Sequence, residues 1–253
     1  MIVTFLGTGT SQGVPVIACK CNVCKSIDYK DKRLRSSVHI EIDNVHLNID
    51  VGPDFRQQML INNISRMDAI LLTHEHKDHT GGLDDVRSFN FAQKKDMPIY
   101  GRQNVLDQIG KEFEYIFAVN KYPGTPHVDR KHIINRPFKI EGVEIIPIDV
   151  LHYKLPVFGF RVNDFAYITD ANFISKEEKE KLKNLKVLVL NALQIKKHIS
   201  HFTLSEAIEL IEELKPEKAY LTHISHTLGL SREIEPTLPE NISLAYDGLK
   251  LQL

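Results

Sequence analysis

The order of strand and helix patterns along the chain predicts an α/β (α+β) sandwich: two packed β-sheets whose outer faces are covered by helices. Three observations carry this expectation. Short β-prone runs come in two groups, each followed by helical patterns, whereas a doubly wound parallel sheet alternates one strand with one helix. No internal repeat, low-complexity tract or linker rich in Pro, Gly or Ser marks a boundary, so a single domain spanning residues 1–253 is expected. Hydrophobic residues make up 42% of the chain and charged residues 26%, ordinary proportions for a chain that buries a large core.

In order, Ile2 to Leu6 form a β-prone run that ends at the glycine-rich loop GTGTSQG. Residues Ser37 to Ile42 and Val45 to Asp50 alternate apolar and polar with period two, as strands buried on one face do, and Asn44 lies in the turn between them. The run DAILLT, Asp68 to Thr73, is a short apolar strand that stops where HEHKDH begins, which places its histidines on a loop at a strand end. A mixed, helical region follows Gly81 and Gly82. The second strand group comprises VEIIPIDVLHY, FGFRV and FAYITD, and gives way to helix at SKEEKEKLKN, where Ser175 and Glu178 have capping-box spacing. LKVLVLNAL reads as a fully buried strand. Thr203 and Glu206 again fit a capping box, Ala207, Ile208, Ile211 and Leu214 share one helical face, and Pro216 stops that helix. AYLTHISH is one more strand running into histidines.

Charge excludes little but points away from polyanions: 32 Lys and Arg face 33 Asp and Glu, so nucleic acid is not the expected partner and no membrane association is expected. The first residues, MIVTFLGTG, lack a basic n-region and a long apolar stretch, and the expected location is cytoplasmic.

Histidines and aspartates carry the chemistry. His74, His76, Asp78 and His79 fall within six residues, and two histidines one residue apart on an extended turn can share one ion. Asp78 and His79 then point elsewhere, toward a second ion about 3.5 to 4 Å away. One loop cannot complete two coordination spheres. His152, Asp170 and His223 each follow a strand and can reach a common sheet edge, and a carboxylate such as Asp170 can bridge two cations. The cysteines Cys19, Cys21 and Cys24 form CxCxxC, a spacing that lets three thiolates converge on one structural zinc, with His226 as the best candidate for the fourth ligand.

HEHKDH, an isolated His152, ITD ending in Asp170 and LTH ending in His223 together resemble the metallo-β-lactamase superfamily across nearly the whole chain. The resemblance implies that family's four-layer αββα sandwich. It further implies that His74, His76 and His152 hold one divalent metal ion (Zn or Mn), that Asp78, His79 and His223 hold the other, and that Asp170 bridges them. Asp50 in NIDVG matches the superfamily's early aspartate, which orients the ligands. With the cysteine motif and the late His226, the chain is similar to the cyclic phosphodiesterases of the carbon-phosphorus lyase pathway, which open 5-phosphoribosyl 1,2-cyclic phosphate.

That similarity implies a dinuclear metal-dependent phosphoric diester hydrolase with a small-molecule phosphodiester substrate, in which a hydroxide shared by the two ions attacks phosphorus. Asp78 and Asp170 act in catalysis alongside His201, which opens an HxT segment just before a capped helix, where an imidazole can meet the scissile phosphate. His198 fits this role less well, and His39, His46, His127 and His132 read as structural or solvated. Analogy also suggests a homodimer. Two alternatives remain: a tRNA 3′-processing endonuclease, whose Gly/Pro-rich tRNA-binding arm has no counterpart here, and a metal-binding or cofactor-handling protein without hydrolytic turnover.

Overall fold

The computed structural model describes residues 1–253. In chain order its strands are β1 (Ile2–Gly7), β2 (Ser37–Ile42), β3 (Val45–Ile49), β4 (Ala69–Leu71), β5 (Met97–Gly101), β6 (Val128–His132), β7 (Phe138–Ile140) and β8 (Val143–His152). They continue with β9 (Leu155–Val162), β10 (Phe165–Ile168), β11 (Phe173–Ile174), β12 (Val187–Asn191), β13 (Lys218–Thr222), β14 (Ile242–Leu244) and β15 (Lys250–Gln252). One sheet runs β15-β1-β2-β3-β4-β5-β6, and the other runs β11-β8-β9-β10-β12-β13-β14 with β7 paired to β8.

Side-chain alternation builds the layers. Val3, Phe5, Val38, Ile40, Leu47, Ile49 and Leu71 of the first sheet meet Ile145, Phe158, Phe160, Phe165, Tyr167 and Val189 of the second in a central apolar layer. The residues between them point outward: Leu6, Ile70, Leu72 and Ile99 pack under the helices Phe55–Asn62, Arg87–Gln93 and Gln103–Glu112. On the opposite face Ile148, Val150, Ala166, Leu188, Leu190 and Leu221 pack under the helix Leu204–Leu214. Apart from the polar outer side of the β2–β3 hairpin, both sheets are apolar on two faces, and the four layers are αββα. Each fully buried Phe, Ile or Leu in these layers contributes about 2 kcal/mol of transfer free energy.

The sequence reading differs from this structure in three places. The strands β2 and β3 are buried on both faces, because helix Phe55–Asn62 and its flanking loop cover the polar side; His39 and Asn48 are as inaccessible as their apolar neighbours. Ser175 caps its helix by accepting from the Glu178 amide, but the Glu178 carboxylate turns away to the Asp149 amide and Lys181, so the reciprocal half of the box is missing and the helix lasts five residues. The segments β5, β6, β14 and β15 were not expected as strands. β15 joins the first sheet although it follows the second in sequence, and the N-terminal amine of Met1 donates to the Leu253 carbonyl (2.9 Å). No helix is long and apolar enough to cross a membrane.

Burial of His39 has a measurable consequence. Desolvation first, then the neighbouring His46, lowers its pKa from 6.5 to about 4. The folded chain thus holds this imidazole neutral while the unfolded chain protonates it, and stability is lost as pH falls from about 6.5 to about 4. A shift of this size corresponds to about 3 kcal/mol. Urea unfolding at pH 7 and pH 4.5 is expected to show a smaller pH-dependent loss in His39→Gln than in the wild type; equal losses refute the assignment.

Candidate metal centre

Three sequence-distant strand ends and one loop converge at one edge of the sandwich. His74, His76 and His152 bring one ligand nitrogen each to within 4.8 Å of one another, and Asp78, His79, Asp170 and His223 do the same with their ligand atoms beside them. These are the two groups expected from the sequence. Asp170 also falls within that distance of His152 and His201, so it stands between the two groups.

Backbone conformation delivers these side chains. Asp50, Asp170 and His223 each occupy the left-handed region immediately beyond a strand, with φ of 67°, 55° and 54°. This conformation costs each non-glycine residue roughly 1 kcal/mol or more and turns the side chain off the sheet toward the edge, and such strain is concentrated at functional sites. The HEHKDH loop is clamped on the NIDVG segment: the Val51 amide donates to the His79 carbonyl (2.8 Å), and the Gly82 amide donates to the Val51 carbonyl (2.9 Å). A Cβ at Gly52 or Gly82 would collide with the backbone of the opposing segment, which is why glycine stands at both positions.

Hydrogen bonds fix which nitrogen of each ring faces inward. His79 Nδ1 lies 2.6 Å from Asp50 Oδ2, leaving Nε2 to face Asp78 (3.1 Å) and Asp170 (3.2 Å). The Thr73 hydroxyl donates to Asp50 and accepts from His74 Nδ1 at 3.0 Å, so His74 turns Nε2 toward His76 Nδ1, 3.0 Å away. His152 Nδ1 donates to the Ser200 carbonyl at 2.8 Å. In each case the second nitrogen is held by a protein oxygen while the first is turned inward, the arrangement that orients imidazole ligands on a metal.

Electrostatics call for cations here. Three carboxylates, the buried Asp50 and Asp170 and the half-buried Asp78, crowd one edge, and every ion pair they make is with an imidazole. Desolvation holds His74 well below its ordinary pKa and lowers His223 to about 4, so both are neutral. His79 is the exception: burial opposes its charge, but Asp78, Asp170 and Asp50 outweigh burial and push its pKa well above the ordinary value. Asp170 is held well below the carboxylate range against its burial, by His223 and His79. His79 Nε2 and both nitrogens of His223 are buried without a hydrogen-bond partner. Inward-facing neutral imidazoles, orphaned nitrogens and anionic carboxylates are a donor set that fits two divalent cations.

His201 reaches the same place. Its Nε2 lies 3.1 Å from Asp170 Oδ1, and its ring stacks on His223 with centroids 4.9 Å apart. The helix that follows does not offer its N-terminus to an anion, because the capping box of Thr203 and Glu206 already fills it with a carboxylate. His201 therefore acts through its own ring and not through the helix dipole. Ser200, which the sequence did not single out, and His198, which it ranked below His201, place their Oγ and Nδ1 3.0 and 3.2 Å from His201 Nδ1. Nothing in the spacing marked these contacts, since both depend on how the loop before the helix folds back.

A second donor cluster lies nearby. The Sγ atoms of Cys19 and Cys21 lie 3.3 and 3.4 Å from His226 Nδ1, and Cys24 completes the group. Ligands at zinc–sulfur and zinc–nitrogen distances subtend about 3.6 Å at the tetrahedral angle. The Cys24 amide donates to Cys21 Sγ and, followed by His226, lowers the Cys21 pKa to about 6; the Val16 amide donates to Cys24 Sγ, while burial pushes that thiol up to about 11. Four such donors fit one closed structural zinc.

Comparison with known proteins identifies the family and the fold. A family model described as a β-lactamase superfamily domain matches residues 46–224. An octanoyltransferase from Porphyromonas gingivalis is 41% identical over 248 residues, which cover 97% of this chain and 50% of that protein. The chain thus spans about half the length of this curated relative. Among solved structures, a diphosphatase of the PhnP family superimposes with a TM-score of 0.93 at 39% identity, covering all of this chain and 97% of the other. Zinc-bound PqqB from Methylobacterium extorquens superimposes with a TM-score of 0.83 at 20% identity over the full length of both chains.

Elemental analysis of the purified protein is expected to return three transition-metal ions per chain. Cys21→Ser is expected to lose one of them and to lower the melting temperature by on the order of 10 °C, with the remaining two retained. An unchanged zinc content in that variant rules the cysteine site out.

Proposed function

Because the chain belongs to the β-lactamase superfamily, we propose that it is a metal-dependent hydrolase of small phosphodiesters, with a phosphoribosyl cyclic phosphate as a substrate of the fitting class. The observation that carries this reading is His201. It is an eighth chemical group at the centre, beyond the three nitrogens of one ligand set and the four donors of the other, and its Nε2, 3.1 Å from Asp170, could meet an anionic substrate oxygen bound there.

The fold implies divalent ions; His74, His76 and His152 would hold one and Asp78, His79 and His223 another, with Asp170 shared, and such ions would supply Lewis acidity and lower the pKa of water toward neutrality. The chain's own groups do the rest. Asp50 and Thr73 keep His79 and His74 in one tautomer through the reaction. With Ser200 Oγ as the donor to Nδ1, 3.0 Å away, the His201 ring would carry its proton on Nε2 and could offer it to the phosphoryl oxygens as charge gathers on them. The same Nε2–H can pass to the departing alkoxide, and His198 beside Nδ1 keeps the ring from turning.

The diphosphatase relative favours a second reading within the same chemistry, cleavage of a diphosphate instead of a cyclic or linear diester. Both substrates present a phosphorus atom with two esterified or anhydride oxygens to the same donors. The octanoyltransferase name belongs to a protein twice as long as the matched region, and an acyl thioester has no anionic phosphoryl oxygens for His201 to meet. A tRNA 3′-processing activity would call for a Gly/Pro-rich tRNA-binding arm, for which the sequence offers no insert, and the balanced net charge does not favour a polyanion.

Asp170→Ala is expected to abolish metal-dependent cleavage of bis(p-nitrophenyl) phosphate, and wild-type turnover in that variant eliminates the bridging role. His201→Ala is expected to lower kcat by roughly 10²- to 10³-fold with metal content unchanged. A loss of metal in His201→Ala would make it a ligand; an unaffected rate would move phosphate binding elsewhere. The wild type is to be assayed in parallel on cyclic sugar phosphates, diphosphates, pre-tRNA and octanoyl thioesters, and preference for the thioester would overturn the phosphodiester reading.

A further inference from the structure

The polar side of the β2–β3 hairpin carries three side chains that neither the sandwich core nor the centre described above uses. His39 and Glu41 are two residues apart on β2 and share a face, and His46 on β3 is paired directly with Glu41. Their ligand atoms lie within 4.8 Å of one another, and all three line one cavity of about 330 Å³ between the hairpin and the loop after helix Phe55–Asn62. His46 lies four residues before Asp50 on the same strand, roughly 13 Å away at the rise of an extended chain, so this cluster is separate from the centre.

We propose that His39 Nε2, His46 Nδ1 and a Glu41 carboxylate oxygen form a third binding site for a divalent transition ion, completed by water. The two ring nitrogens are 3.2 Å apart, close to the separation of about 3.3 Å that two imidazoles take on one tetrahedral zinc. His74 and His76 approach each other similarly, at 3.0 Å.

The neighbour on the far side of His39 selects the ligand tautomer. Asn48 is paired with His39 across the hairpin, and its amide NH₂ is committed to Ser37 Oγ (3.1 Å) and the Asp50 carbonyl (2.6 Å). Its Oδ1 therefore faces outward and has no donor, and His39 Nδ1 is likewise buried without a partner. With its Nδ1 facing this acceptor side, His39 would carry its proton on Nδ1 and leave the Nε2 lone pair, 3.2 Å from His46 Nδ1, free for an ion. A proton on Nε2 would instead set two acceptors against each other in a buried place, at a cost of roughly 1 to 3 kcal/mol.

His46 is placed as firmly. Its amide donates to Asp68 Oδ2 (2.9 Å) and its carbonyl accepts from the Asp68 amide (2.7 Å). Two imidazoles and one carboxylate select zinc, nickel or copper over calcium or magnesium, whose preference is for oxygen. Lys250 and Arg66 also border the cavity, and of the two Arg66 is engaged by Asp68 at 3.2 Å. The site is accordingly weaker than the three-carboxylate centre.

Zinc added to protein whose centre and cysteine cluster are already loaded tests this directly. By equilibrium dialysis the wild type is expected to bind one further equivalent, which His46→Ala and Glu41→Gln do not bind, while His127→Ala, a control for exposed histidines, binds it as the wild type does. The melting temperature is expected to rise with zinc in the wild type and not in His46→Ala, and phosphodiester cleavage is expected to be the same in all four proteins. Equal uptake by the wild type and His46→Ala, or imidazole ¹⁵N resonances of His39 and His46 unmoved at saturating zinc, overturns the site without touching the assignment of the main centre.

Discussion

The Asp50 carboxylate is the constraint on which the centre depends. It is completely buried at the end of β3, where burial alone pushes its pKa up, and it remains useful only because donors surround it: the Thr73 amide at 2.9 Å, the Thr73 hydroxyl at 2.9 and 3.0 Å, and His79 Nδ1 at 2.6 Å. Through His79 it orients one ligand set directly, and through the Thr73 hydroxyl it orients His74 in the other. One buried charge thus sets the tautomer in both groups. The backbone around it is tied as tightly, since the Asp50 amide donates to the Leu71 carbonyl and its carbonyl accepts from Asn48 and Ser37.

The sandwich supplies rigidity that the loops lack. Strands whose alternate residues are locked into two apolar layers cannot slip by one residue without turning every side chain to the wrong face, so the ends of β3, β4, β8, β10 and β13 are fixed relative to one another. The left-handed turns at Asp50, Asp170 and His223 draw on that reserve. Each costs about as much as half a buried aliphatic side chain contributes, and the central layer buries many. Strain that would unravel a hairpin is therefore stable at this edge.

Much of this was readable in the sequence because ligand chemistry and strand ends coincide. His152, Asp170 and His223 each follow an apolar run directly, so their residue type and their position carried the same message. Strands such as β5 and β6 were hidden because MPIYG and VDRKH show no clean period, being an inner strand with a proline and an edge strand with four exposed residues. β14 and β15 have three residues each, too few for a pattern to form. The polar face of β2 and β3 misled for a different reason: alternation correctly gave two faces, but nothing local tells solvent from a covering helix. Ser200 was missed, and the contact of His198 with His201 could not be foreseen, because only the folded loop brings them together.

Closure of the chain links the cysteine cluster to the catalytic edge. His223 and His226 are three residues apart, and between them the Ile224 amide donates to the Thr8 carbonyl while its carbonyl accepts from the Thr10 amide. The glycine-rich loop after β1 is thereby laced to the segment that carries one ligand of each site. On the other side, the buried Arg33 guanidinium donates to the Thr8 hydroxyl, the Ala245 carbonyl and Ser231 Oγ, and Asp31 accepts from Ser231. An ion gripped by Cys19, Cys21, Cys24 and His226 would join residues 19–24 to residue 226 by bonds stronger than any of these. Such a closure removes freedom from the unfolded chain over a span of some two hundred residues, and it does so beside His223, whose strained backbone most needs support. The cysteine cluster is then best understood as the fastener of the edge on which hydrolysis depends.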